Sequence, residues 1–176
     1  GLTGSMGVYA GWSRCAAHGS GGFTLYRPDH WAMAGTGLGY GDVLGAQSKI
    51  FGYEVDGIDC EIRKGLPYPA PDTGLEGKLT IVALSPATTL AHHTGRHDMD
   101  HFIGTLDAEE VARTIYGAVR PETLGLASRG NGCMAEYRRG RGAVFNAASC
   151  EWVAGLIARE RPVEVVTRNI LLGDWR

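Results

Sequence analysis

The segment at residues 50–62, "IFGYEVDGIDCEI", places the carboxylate Glu54 among aromatic and branched residues. A carboxylate so placed can act as a general acid or base if burial or a neighbouring like charge raises its pKa. Asp56-Gly57 between two alternating runs predicts a hairpin, because both residues tolerate positive φ. A two-residue loop would set Val55 opposite Ile58, Tyr53 opposite Cys60 and Phe51 opposite Ile62, forming one apolar face. The other face would hold Glu54 opposite Asp59. If that face is partly desolvated, repulsion raises one of the two pKa values. If it meets water, both groups ionise freely, and the hairpin alone favours this second reading.

Other residue groups suggest different chemistry. Four of the six histidines lie within residues 92–101, where His97, His101, Asp98 and Asp100 could ligate a divalent ion. Gly95 and the polar surroundings point instead to a loop, so an independent metal hydrolase is the lesser alternative. Cys150 falls where a strand is expected to turn into a helix, and a helix N-terminus can activate a thiol. Glu151 and Trp152 follow it directly, where a nucleophile elbow needs small residues, so a buried structural cysteine is expected. His18 reads as a loop residue. Gly35, Gly37, Gly39 and Gly41 alternate without the strand and long helix of a dinucleotide fingerprint, which predicts a wrapped loop.

The elements that must position these residues follow from periodicity and punctuation. Strands are expected at residues 23–26, 78–85, 134–138 and 143–147, the last two joined through "RGRG". "GLPYPAPDTG" reads as a rigid connection, its prolines excluding helix and central strand. A helix over residues 107–119 has Asp107 and Glu110 as a capping box and is limited by Pro121. Two more are expected, one at residues 151–159 with Ser149 as cap and one following Pro162. Together these give an α/β domain, a layered mixed sheet with flanking helices.

The chain of 176 residues is long enough for one domain with a substantial core. Residues 1–7, "GLTGSMG", are expected to be disordered or a tag remnant, leaving residues 8–176 as the single domain. Lys and Arg total 17 against 19 Asp and Glu, so neither nucleic acid nor an anionic membrane is an expected partner. Neither an export signal nor a membrane span is expected. Cys15, Cys60, Cys133 and Cys150 are widely spaced, which favours reduced, mostly buried thiols and a cytoplasmic setting. The 27 glycines are about twice the usual share of roughly 7%, so the backbone must turn tightly or approach closely at many points.

The ordered series "GGFTLYRPDHW", "GTGLGYGDVLG", "GYEVDG", "GLPYP", "GAVFNAASCEWVAGL" and "TRNIL" resembles the C-terminal region of the N,N-dimethylformamidase large (β) subunit family. The resemblance runs from about Gly22 to Leu172. It implies a core similar to part of a class I glutamine amidotransferase or ThuA-like domain, and hydrolysis of a small amide at a mononuclear iron. The implied iron ligands, two tyrosines and a carboxylate, belong to an upstream portion, and no residue here matches them. An upstream portion or second chain would then complete the site, in a homo-oligomer. Glu54 in "GYEVDG" matches a family glutamate near the active site, which implies a general acid or base. Asp56 and Asn146 are candidate orienting groups. The alternative is a non-catalytic scaffold or oligomer-interface domain.

Overall fold

The computed structural model describes residues 9–10, 21–51, 53–86, 109, 112–113, 115–127 and 130–173. The expectations for residues 1–7, for His18 and for the histidine-rich segment lie outside the described residues.

Nine strands and three helices are described. The strands are β1 (Tyr9–Ala10), β2 (Phe23–Leu25), β3 (Val43–Leu44), β4 (Tyr53–Glu54), β5 (Cys60–Arg63), β6 (Leu66–Pro69), β7 (Leu79–Pro86), β8 (Asn131–Arg139) and β9 (Gly142–Asn146). The helices are α1 (Pro121–Ala127), α2 (Trp152–Ile157) and α3 (Arg161–Leu172). No helix among the described residues is long and apolar enough to cross a membrane.

The central sheet has five strands in the order β3-β2-β7-β8-β9, and two-stranded pairs β1-β4 and β5-β6 stand apart from it. Every described ladder is antiparallel, so the expected mixed sheet is corrected. A parallel pair needs a crossover that carries the chain back to the same end of the sheet. Here β8 and β9 are instead joined by a tight turn, with Gly140 at φ 59°, as "RGRG" predicts.

The sheet has two unlike faces. Phe23, Leu25, Met33, Phe51, Val82, Met134, Trp152, Val163 and Val166 form the larger core, which α2 and α3 cover. Ile58, Leu79, Ile81, Cys133 and Ala135 form a smaller one. A bulge in β7 lets the strand serve both: Ile81 is opposite Ala135, while Ala83 is opposite Met134. The extra residue turns Val82 and Ala83 both into the larger core.

The Asp56-Gly57 hairpin does not form. β4 pairs with β1, setting Glu54 opposite Tyr9, and β5 pairs with β6. Lys64 and Gly65, at φ 50° and 80°, make that turn instead, the pattern a twisted hairpin prefers. Asp56 and Gly57 are held by other strands: Asp56 N–H donates to Ala148 O at 2.9 Å, and Cys133 N–H donates to Asp56 O at 2.8 Å. Gly57 is required for another reason than positive φ. A Cβ on it would lie 2.0 Å from Asn131 O, so the two backbones meet only without a side chain.

The proline segment also differs from expectation, since Leu66–Pro69 is a strand. Ala70 N–H donates to Asp59 O at 2.9 Å, which places the donors of even-numbered residues towards β5. Pro67 and Pro69 thus fall where no ladder donor is needed. The strands at β2, β7, β8 and β9 match the sequence reading to within a few residues.

Glu109, Ala112, Arg113, Ile115 and Tyr116 are helical, while Asp107 and Glu110 lie outside the described residues. Pro121 does not simply end helical structure, because it begins α1. Arg120 N–H donates to the Thr123 hydroxyl at 2.9 Å, so the third residue of the helix satisfies its entry. α3 begins beside Pro162 as expected. α2 is shorter than expected. Ser149 Oγ accepts from Glu151 N–H at 3.2 Å, bending the chain just before the helix.

Candidate active site

Two of the three candidate residues come together through the strands that displaced the hairpin. Val55 bridges to Ser149, which brings the Asp56 segment beside the end of β9. There Asn146 Nδ2 donates to Asp56 Oδ2 at 2.9 Å, and Ala148 N–H donates to Asn146 Oδ1 at 2.7 Å. A backbone N–H can only donate, so this second bond fixes the amide orientation and directs Nδ2 at the carboxylate. Ala148 has φ 63°, a left-handed conformation costing about 1 kcal/mol for a residue with a side chain. Its N–H and C=O hold Asn146 and Asp56, so the strained residue is the clasp between them.

Glu54 lies two residues before Asp56 and its backbone runs in β4. Its side chain lies outside the described atoms. The proposed confrontation with Asp59 fails, because Asp59 precedes β5 in a different two-stranded pair.

Asn146 has a second environment. With Leu75, Leu79, Ala135, Tyr137, Arg139 and Val144 it lines a cleft of about 460 Å³ on the outer face of β7, β8 and β9. This lies within the range of small-molecule sites, roughly 300–1,000 Å³. Among the described lining residues Arg139 alone is charged, and Val144 is 60% exposed, so the outer wall is apolar and open.

The opposite face carries a cluster that pattern reading missed. Glu136 is 5% exposed, and its Oε2 accepts from His30 Nε2 at 2.9 Å and Trp31 Nε1 at 2.8 Å. Its Oε1 faces Arg138 Nε in an ion pair. Burial by itself would raise the Glu136 pKa, yet bonds from Trp31 and His30 and the charge of Arg138 outweigh it and hold the carboxyl low. Burial lowers the His30 pKa against the pull of Glu136. His30 Nδ1 accepts from Ala32 N–H at 3.3 Å, so the neutral ring carries its proton on Nε2, facing Glu136. "DHW" and a lone glutamate on an alternating strand gave no signal, because the partners are 106 residues apart.

Cys150 is exposed rather than buried, which corrects the expectation; among the described residues the buried thiol is Cys133, whose pKa burial pushes far up. The tight turn puts Ala148, not Cys150, at the strained position. Residues 35–42 form the wrapped loop expected of the glycine cluster, with Gly35, Gly37 and Gly41 at positive φ.

The family profile described as N,N-dimethylformamidase beta subunit-like, C-terminal, matches residues 2–163. The chain belongs to that family. No curated protein and no solved structure matches it. Among the described residues no group of three or more His, Cys, Asp or Glu could hold a metal ion. Asp56 is joined by an amide, and Glu136 by groups that donate rather than ligate.

Proposed function

We propose that this domain supplies the acid–base side of an amide-hydrolysing site in a dimethylformamidase-like subunit, with the iron ligands in an upstream portion or a second chain. Membership of the family supports the reaction class. The observation that carries the reading is the Asp56–Asn146 hydrogen bond, two residues from Glu54 and at the edge of a ligand-sized cleft. Glu54 takes a proton from the attacking water as its oxygen bonds to the carbonyl carbon. It then delivers that proton to the departing nitrogen, so the C–N bond breaks to give acid and amine. Asp56 and Asn146 hold the strand that carries Glu54. The same reading keeps the core of this chain as part of a class I glutamine amidotransferase or ThuA-like domain and places the subunit in a cytoplasmic homo-oligomer.

The test is Glu54→Gln in the full-length subunit, read by amine release from formamides. Turnover should fall by roughly 10²–10⁴-fold with KM little changed. Wild-type turnover would remove Glu54 from the chemistry.

A second reading, a non-catalytic interface between copies, is favoured by Ile157, Leu171 and Leu172, which are 74% exposed or more. Sedimentation of an Ile157→Glu, Leu172→Glu variant should show a smaller assembly if these residues join copies.

A further inference from the structure

We propose that the cleft beside Asn146 binds the non-reacting part of the substrate, and that this part is an apolar group ending in a carboxylate. This rests on the amide-hydrolase reading and specifies its substrate class. The cleft, at about 460 Å³, is several times what a formamide carrying two methyl groups would fill, so a solvent-sized amide leaves most of it empty.

Its lining sorts by chemistry along its length. Leu75, Leu79, Ala135 and Val144 offer only apolar surface. Tyr137 adds an amphipathic ring, and the register sets it between Leu79 on one strand and Val144 on the other. This suits a flat or branched hydrocarbon group.

The two ends are polar and different. At one, Arg139 brings the only charge among the described lining residues, and none of these supplies a carboxylate to neutralise it. A guanidinium in that setting pairs with a planar anion through two parallel hydrogen bonds. At the other, Asn146 Nδ2 uses one N–H on Asp56 and keeps a second. That N–H can donate to an amide carbonyl, joining the cleft to the segment bearing Glu54. A ligand spanning the cleft therefore presents an amide at Asn146, an apolar body over Tyr137 and Val144, and an anion at Arg139.

4-Acetamidobenzoate has these three parts in that order, and 4-acetamidobenzamide replaces its carboxylate with an uncharged amide. In the full 176-residue chain, titration followed by amide chemical shifts should show saturable 4-acetamidobenzoate binding at residues 135–139 and 144–146. Arg139→Ala should weaken 4-acetamidobenzoate on the order of tenfold while changing 4-acetamidobenzamide little. Val144→Trp, which fills an exposed wall, should abolish binding of both with an unchanged melting temperature. Absence of saturable binding, shifts elsewhere, or equal loss of both ligands in Arg139→Ala would overturn the proposal. The two readings fail separately. Lost turnover in Glu54→Gln with no 4-acetamidobenzoate binding overturns the cleft alone, whereas 4-acetamidobenzoate binding with undiminished turnover overturns the role of Glu54 alone.

Discussion

Glu136 and Asn146 lie on neighbouring strands, β8 and β9, yet their two polar clusters are built on opposite principles. Glu136 is buried, and His30, Trp31 and Arg138 surround it from two elements. Phe145, opposite Glu136 in the register, packs its ring against both His30 and Trp31. Asn146, one residue later, points to the other face, where it is half-buried and keeps hydrogen-bonding capacity beside a cleft. The helices decide this difference: α3 fastens to the Trp31–Met33 turn through Asn169, which donates to Ala32 O and Ala34 O. That closes one face, and no described helix closes the other. A closed polar cluster holds the fold together, and an open one is free to meet a ligand.

Glu136→Ala should show the contrast most strongly. It strips away the acceptor that His30 and Trp31 share, so stability should fall by about 3 kcal/mol in urea unfolding. Arg138, which is half exposed, contributes little of this. A loss below about 1 kcal/mol would mean that the cluster does not fasten the face.

Asn146→Ala should behave in the opposite way. It removes one charge-assisted bond in a partly solvated place, so the stability cost should be about 1 kcal/mol. Turnover of the full-length subunit should fall much further than that loss explains. If the ranking reversed, with Asn146 costing more stability than Glu136 and leaving turnover intact, the assignment of the two faces would be wrong.

The smallest effect is a pH dependence confined to the closed face. His30 and Glu136 are both held below their ordinary values of 6.5 and 4.5. As pH falls, the unfolded chain therefore takes up each proton before the folded one does. Stability is complete above about 6.5, declines as pH drops through the folded value of His30, and declines again below 4.5 as Glu136 protonates. Asp29 and Arg138 also act on His30, with opposite signs. In His30→Gln the first decline should be absent from a pH series of unfolding midpoints. If it persists there, the decline belongs to another group.

How far the sequence could be read depended on distance along the chain. Alternation in "KLTIVALS" and the "RGRG" turn are local, and both became β7 and the β8–β9 hairpin. "GYEVDG" is local too, but there local chemistry misled. Asp56-Gly57 suits a tight turn, yet backbone groups at 131–133 and 148 were available to pair with it, and Lys64-Gly65 could turn the chain instead. The Asp56 and Asn146 candidates came from a family pattern, and their meeting across 90 residues could not have been read from spacing.

The sequence by itself determined the family, most strands of the central sheet and the final helix, because these follow from periodicity, punctuation and residue type within a few positions. Only the tertiary structure decided which strand Glu54 joins, that Asn146 grips Asp56, and that Glu136 is sealed in while Asn146 stays open. Those outcomes depend on which distant backbone donors and apolar faces find one another, and a one-residue step along a strand changes the face and with it the role.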